Sequence, residues 1–151
     1  MKVHAAPMLL GLLSALAAAT ENQPRQQQTE HEELLGTWSV VRFERDGINL
    51  APHGLAWKID DQMITTLFDV SSAQSRVIAS TPYRLLSGGK HPGIDIEPQH
   101  PPNKGTVVLG IYRLSGNTLT CCFQVIASDQ RPTEFDAGHG SQRELIELKR
   151  R

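Results

Sequence analysis

Only two cysteines occur in the 151 residues, Cys121 and Cys122, and they are neighbours. Adjacent residues of a strand point to opposite faces, so the pair cannot bridge without breaking the pairing of the strand that holds it. A disulfide framework is therefore excluded, which leaves only an intermolecular bridge through the outward thiol in an oxidising compartment. Aromatics are scarce, at two Trp, two Tyr and four Phe, so a core must rest mainly on aliphatic side chains. Neither sign of charge dominates: 15 basic against 16 acidic side chains give a net charge of −1. No cluster of Lys and Arg with interleaved aromatics marks a nucleic-acid partner. The one long apolar run, Met8 to Ala19, falls short of the roughly 20 residues a spanning helix needs.

That run follows Lys2, ends in the small-x-small pair Ala17 and Ala19, and gives way to polar residues. Residues 1–19 thus read as a secretory signal peptide cleaved after Ala19, predicting an exported protein, periplasmic or extracellular, with no membrane span after cleavage. Residues 20–33 (TENQPRQQQTEHEE) hold almost nothing apolar and read as a flexible polar leader, with a short helical turn into Leu34-Leu35. Residues 34–151 are then one domain of ordinary size.

The most legible stretch is Thr106 to Ile126. Two apolar runs meet at Ser115-Gly116-Asn117-Thr118, and the central Gly-Asn pair supplies the positive φ angles of a two-residue hairpin turn. That turn sets the register: Leu114 faces Leu119, Tyr112 faces Cys121, Gly110 faces Phe123 and Val108 faces Val125, all on one apolar side. Phe123 lies across Gly110, covering backbone that glycine leaves bare. The other side pairs Arg113 with Thr120, Ile111 with Cys122, Leu109 with Gln124 and Val107 with Ile126, and its apolar members call for a partner or a covering segment.

Further strands read over Thr37 to Arg45, ending at Asp46-Gly47; over Leu55 to Asp60 and Met63 to Phe68 as a second hairpin; over Arg76 to Leu86, disturbed at Pro82; over Ile94 to Glu97, with Ile94 and Ile96 inward; and over Gln142 to Arg150. From Gly36 onward no apolar pattern has helical period and length. Eight antiparallel strands with short connections close as an all-β, eight-stranded up-and-down barrel, which removes the exposed edges of an open sheet. A β-sandwich is the second possibility.

Several short motifs occur together: Leu34-Leu35-Gly36-Thr37-Trp38, Glu44 to Gly47, Ile94-Asp95-Ile96, Leu109 to Tyr112, Cys122-Phe123, Arg131 to Phe135 and the closing Leu148-Lys149-Arg150. In this order they resemble the small exported lipocalin-like domain, of uncharacterised function, found in many copies in planctomycete bacteria. The resemblance implies a lipocalin-like barrel from Leu34 to Arg151. Gly36-x-Trp38 also resembles the opening motif of true lipocalins, which implies a Trp plugging one barrel end beneath a basic side chain from the last strand. Arg143 and Lys149 are the candidates for that cation.

Chemistry is thinly represented. His31, His53, His91, His100 and His139 are scattered through loops without the converging spacing of a metal site. Glu134 with Asp136-Ala137-Gly138-His139 offers an acid and a base but no nucleophile or oxyanion motif, and reads equally as a Gly-rich turn. Asp60-Asp61 is a hairpin turn before it is a carboxylate dyad. Arg131 is expected to pair with an acid or cap a barrel end, and Gly88-Gly89-Lys90 lacks the spacing of a phosphate loop. The expectation is a protein that is not an enzyme and takes neither cofactor nor metal. It holds a small apolar or amphipathic ligand in the mouth or lumen of the barrel, with Trp38, Val40, Tyr112, Cys121 and Phe123 as the candidate lumen lining. The alternative is a structural or interaction module, its barrel filled by side chains, docking on a cell-envelope protein.

Overall fold

Period-two alternation of apolar and polar residues, interrupted by Asp-Gly and Gly-Asn turns, drives this chain into strands. A computed structural model describes residues 25, 28–71, 74–126 and 129–151. The expected signal peptide, its cleavage site after Ala19 and the first part of the leader lie outside the described residues. The strands are β1 (Gly36–Arg45), β2 (Ile48–Leu50), β3 (Leu55–Ile59), β4 (Met63–Ser71), β5 (Gln74–Leu86), β6 (Gly93–Ile96), β7 (Val108–Ser115), β8 (Thr118–Gln124) and β9 (Arg143–Arg150).

All pairings are antiparallel, and apart from β2 each strand pairs with its neighbour in sequence. The β1–β9 ladder joins first strand to last, so β1 and β3 to β9 form a closed eight-stranded up-and-down barrel, with β2 as one extra strand. The predicted eight-stranded barrel is the observed fold, and the sandwich is not.

The central hairpin has its predicted register from Ser115–Thr118 to Gly110–Phe123. Only Gly116 of the turn has positive φ, at 56°, so one left-handed residue suffices where two were expected. A Cβ on Gly110 would stand 2.5 Å from Cδ1 of Phe123, so the ring does occupy the space a side chain would take. Beyond Gly110 the ladder ends: Val108 and Leu109 pair with β6 alone, and the amide of Val125 donates to the Gln142 carbonyl instead.

Four features depart from the sequence reading. The first strand ends at Asp46-Gly47 as read, but these residues are a two-residue turn with φ of 49° and 81° that folds an unexpected strand, β2, back on β1. Val41 is an extra residue in β1, where the register shifts between Val40 and Arg42. Residues 28–34 are helical and docked on the barrel, whereas the sequence reads residues 20–33 as a flexible leader with only a final turn into Leu34-Leu35. Pro82 does not interrupt β5. It sits where the strand exchanges β4 for β6 as its partner, and its carbonyl accepts from the Glu97 amide.

Inward-facing side chains form one cluster that includes Trp38, Trp57, Tyr112, Leu119, Phe123 and Leu148. A second, smaller cluster lies outside the barrel wall, where Ile111, Cys122 and Leu145 are covered by Phe135 and Ala137 of the β8–β9 connection. Over Ile111 the covering segment expected on the apolar outer face is therefore a part of this chain, whereas Val107 and Ile126 on the same face stay exposed.

Candidate functional site

Strand direction gives the barrel two unlike ends. The β3–β4, β5–β6 and β7–β8 turns and the start of β1 lie at one end, which the helical segment closes. There the Trp38 indole donates to the Leu34 carbonyl at 2.9 Å, and the Arg150 guanidinium lies 4.1 Å from the Trp38 ring centre. Arg150 also donates to the carbonyls of Leu35, at 2.9 Å, and Glu33. A Trp beneath a basic side chain of the last strand is thus present, as expected from Gly36-x-Trp38, but its cation is Arg150 and neither Arg143 nor Lys149. In the β1–β9 register Trp38 faces Arg150, and inward positions of β9 are the even-numbered ones from Glu144 to Arg150. Lys149 therefore points outward by period two, and Arg143 stands on the outer wall behind Gln124.

Two tyrosines fasten the helical segment. The Tyr112 hydroxyl donates to Glu30 at 3.3 Å, and Tyr83 meets Nε2 of His31 at 2.8 Å while donating to the Asp60 carbonyl at 2.7 Å. Burial, with help from Asp60 and Asp61, pushes the Tyr83 phenol up to about 12, and burial beside Glu30 raises that of Tyr112 further. Both remain neutral hydrogen-bonding groups at physiological pH.

The five candidate lumen residues, Trp38, Val40, Tyr112, Cys121 and Phe123, all face the interior and belong to one packed cluster. Trp38 and Cys121 are 0% exposed and Phe123 1%, so these three border no space that a water molecule could fill. They are core. Burial raises the Cys121 thiol far above its usual range. Cys122 points to the opposite face and is equally covered, its Sγ 3.5 Å from the Asp136 carbonyl. Both thiols are free, and the outward one is shielded by residues 135–137 rather than open to a second molecule.

The other end of the barrel is different. Because Val41 is an inserted residue, Phe43 and Arg45 turn inward, paired with Ile146 and Glu144 of β9. β2 continues the same face: Leu50 pairs with Phe43 and Ile48 with Arg45. Across the opening, Leu55 pairs with Phe68, and Phe68 with Arg76. The mouth therefore presents Phe43, Ile48, Leu50, Leu55 and Phe68 on its inward side. Phe43 and Leu55 pack against the core, whereas Ile48 is 62% and Phe68 39% exposed. Set among them is an ion pair between Arg45 and Glu144. Burial of Glu144 holds its carboxyl above the usual range, with Arg45 acting in the opposite direction. Alternation counted from Trp38 puts Arg42 and Glu44 on this face instead, since a bulge leaves no mark in the pattern. The signal for β2 was present in Asp46-Gly47, the commonest kind of hairpin turn.

Other residues singled out in the sequence serve the outer wall. Asp95 is 2% exposed and held by Arg131 at 2.5 Å and Arg84 at 3.2 Å, and the same Arg131 nitrogen donates to the Gly110 carbonyl at 2.6 Å. Glu134 pairs with Lys90, and Phe135 lies between His91, at 4.8 Å, and Arg113, at 4.7 Å. Asp136 accepts from the Gly138 amide, and the backbone of His139 abuts Gly47. The Glu134, Asp136 and His139 set therefore fastens the β8–β9 connection. Asp60 accepts from the amides of Gln62 and Met63, which hold its carboxyl below the usual range and complete the β3–β4 turn. Among the described residues no three His, Cys, Asp or Glu side chains converge as a metal site.

A recess of about 350 Å³ on the rim of the mouth is lined by Glu97, Gln99, Lys104 to Val107, and one of about 380 Å³ at the plugged end by Glu33, Leu114, Gly116, Asn117 and Arg150. No helix among the described residues is long and apolar enough to cross a membrane. No protein-family model matches this chain, and comparison with curated proteins and with solved structures finds no match.

Proposed function

We propose that this is an exported, non-catalytic binding protein that holds a small apolar or amphipathic molecule at the mouth of its barrel. One observation carries the reading: the inward side chains Trp38, Leu119 and Leu148 towards the plugged end are fully covered, whereas Ile48, Leu50 and Phe68 at the other are open to solvent. Large side chains exposed on a concave face beside a few polar groups are what small-molecule sites are made of. The ligand seats on a floor of packed side chains and does not enter a deep lumen. Export rests on the Met8 to Ala19 run followed by Ala-x-Ala.

A neutral, polarity-sensitive dye such as Nile red tests the site. The parent protein is expected to enhance its emission, Phe68→Ser to lose most of that enhancement, and the outer-wall variant Val77→Ser to keep it. The second reading, docking on an envelope protein, is favoured by the neighbouring Val77 and Ile78, which are both more than half exposed on β5. Loss of the signal in Val77→Ser but not in Phe68→Ser would move the site to that outer surface.

A further inference from the structure

Charge is unevenly placed around the mouth. Arg45 and Arg76 both stand on its inward side, the first facing Glu144 across the β1–β9 ladder and the second facing Phe68 across the β4–β5 ladder. Glu144 is the one acid on that face among the described residues that these ladders place there, and its side chain is 14% exposed against 55% for Arg45. The pair is therefore asymmetric towards solvent: the acid is covered and the cation is presented. A guanidinium carries five N–H donors in a planar fork, so pairing with one carboxylate leaves donors for a second anion. The Arg45 guanidinium also lies 5.6 Å from the Phe43 ring centre, so charge and apolar surface adjoin at one point.

We infer that the mouth selects single-chain amphiphiles with an anionic head, the head pairing with Arg45 and the tail lying across Phe43, Leu50 and Phe68. The inference rests on the mouth reading above and adds the head-group charge to it. A cationic head would meet two arginines and find the inward acid already paired and covered. A neutral head would gain the apolar contact alone. Arg76, across the opening from Arg45, adds to the positive potential without being required to touch the head.

Calorimetric titration with three ten-carbon amphiphiles, decanoate, decanol and decyltrimethylammonium, each below its micellar concentration, tests this. Decanoate is expected to bind at least about tenfold more tightly than decanol, a difference of the size one charge-assisted pair supplies, and the ammonium to bind more weakly than decanol. Arg45→Gln should bring decanoate down to the level of decanol and leave decanol unchanged, and Arg76→Gln should cause a smaller loss. With the parent alone, the preference for decanoate should shrink as salt rises, because an exposed pair is screened. Equal affinity for the three heads, a preference indifferent to salt, or a preference intact in a folded Arg45→Gln would overturn the anionic selectivity while the mouth site stands. Failure of all three molecules to bind would overturn both.

Discussion

The two ends of the barrel solve the same problem in opposite ways. Each end of a closed sheet leaves loop backbone to satisfy and inward side chains to cover. At the plugged end both are met within the chain: Arg150 takes up the carbonyls of Glu33 and Leu35, the Trp38 indole takes that of Leu34, and Trp38, Leu34 and Leu148 are fully buried. At the mouth Phe68, Ile48 and Leu50 keep a third or more of their surface in water, and the charged pair among them is only half covered. The difference teaches where stability and exposure are divided. A lean chain with eight aromatics concentrates its packing at one end, which lets the other carry apolar surface that contributes little to folding.

The sharpest way to break this contrast is at the plug. Trp38→Ala removes a fully buried ring, the donor to Leu34 and the surface beneath Arg150. A loss of about 3–5 kcal/mol is expected from the cavity and transfer terms of an aromatic-to-alanine change. Urea denaturation measures it, and a loss below about 1 kcal/mol, the level of an ordinary exposed site, would mean that the closed end does not hold the fold.

A smaller effect is expected on the outer wall. Arg131 crosses from the β8–β9 connection to Asp95 and lies over Gly93, where a Cβ would stand 2.9 Å from its Nη1. Arg131→Met keeps the length of the stem but leaves a nearly buried carboxylate with Arg84 alone. About 2–3 kcal/mol of destabilisation follows from removing one charged partner of a buried acceptor, together with readier modification of Cys122 by a thiol reagent as residues 135–137 loosen. If stability falls but Cys122 stays protected, Arg131 braces the barrel wall and not the covering segment.

How much of this was legible in the sequence depended on whether a feature was local. The β7–β8 register was readable from Ser115–Thr118 to Gly110–Phe123 because a turn of fixed length at Gly116 sets those pairs, whereas the pairs read beyond them, such as Val108 with Val125, do not form. Barrel closure was readable from the count and spacing of strands. The Trp38 plug was readable as a motif, but its cation was misassigned: Leu145 and Ile146 are both buried, one under the outer segment and one in the barrel, which hides the alternation that places Arg150 inward. The mouth was least legible. It depends on one inserted residue, Val41, and on a three-residue strand, and neither alters the hydrophobic pattern enough to be seen. The role of Glu134, Phe135 and Asp136 was hidden for another reason, since their partners Lys90, Arg113 and Cys122 lie far away in sequence.

The smallest expected effect is at the mouth itself and is read from its sign. Burial lifts the folded-state pKa of Glu144, and the Arg45 ion pair only partly opposes this. The folded protein therefore keeps a proton on Glu144 at pH values where the unfolded chain, with an ordinary carboxyl near about 4.3, has already released it. Stability from this group is greatest below that unfolded value and declines as pH rises through the raised folded one. Glu144→Gln abolishes the titration, so urea midpoints of variant and parent, compared from about pH 4 to pH 7 across that window, should shift steadily in favour of the variant. Taking the difference cancels Asp60, Asp69 and Glu134, whose lowered values give the opposite slope in both proteins. A difference that is flat, or that moves towards the parent, would mean that pairing with Arg45 outweighs burial. The mouth would then be as well satisfied as the plugged end, and the contrast between the two would rest on its exposed apolar side chains alone.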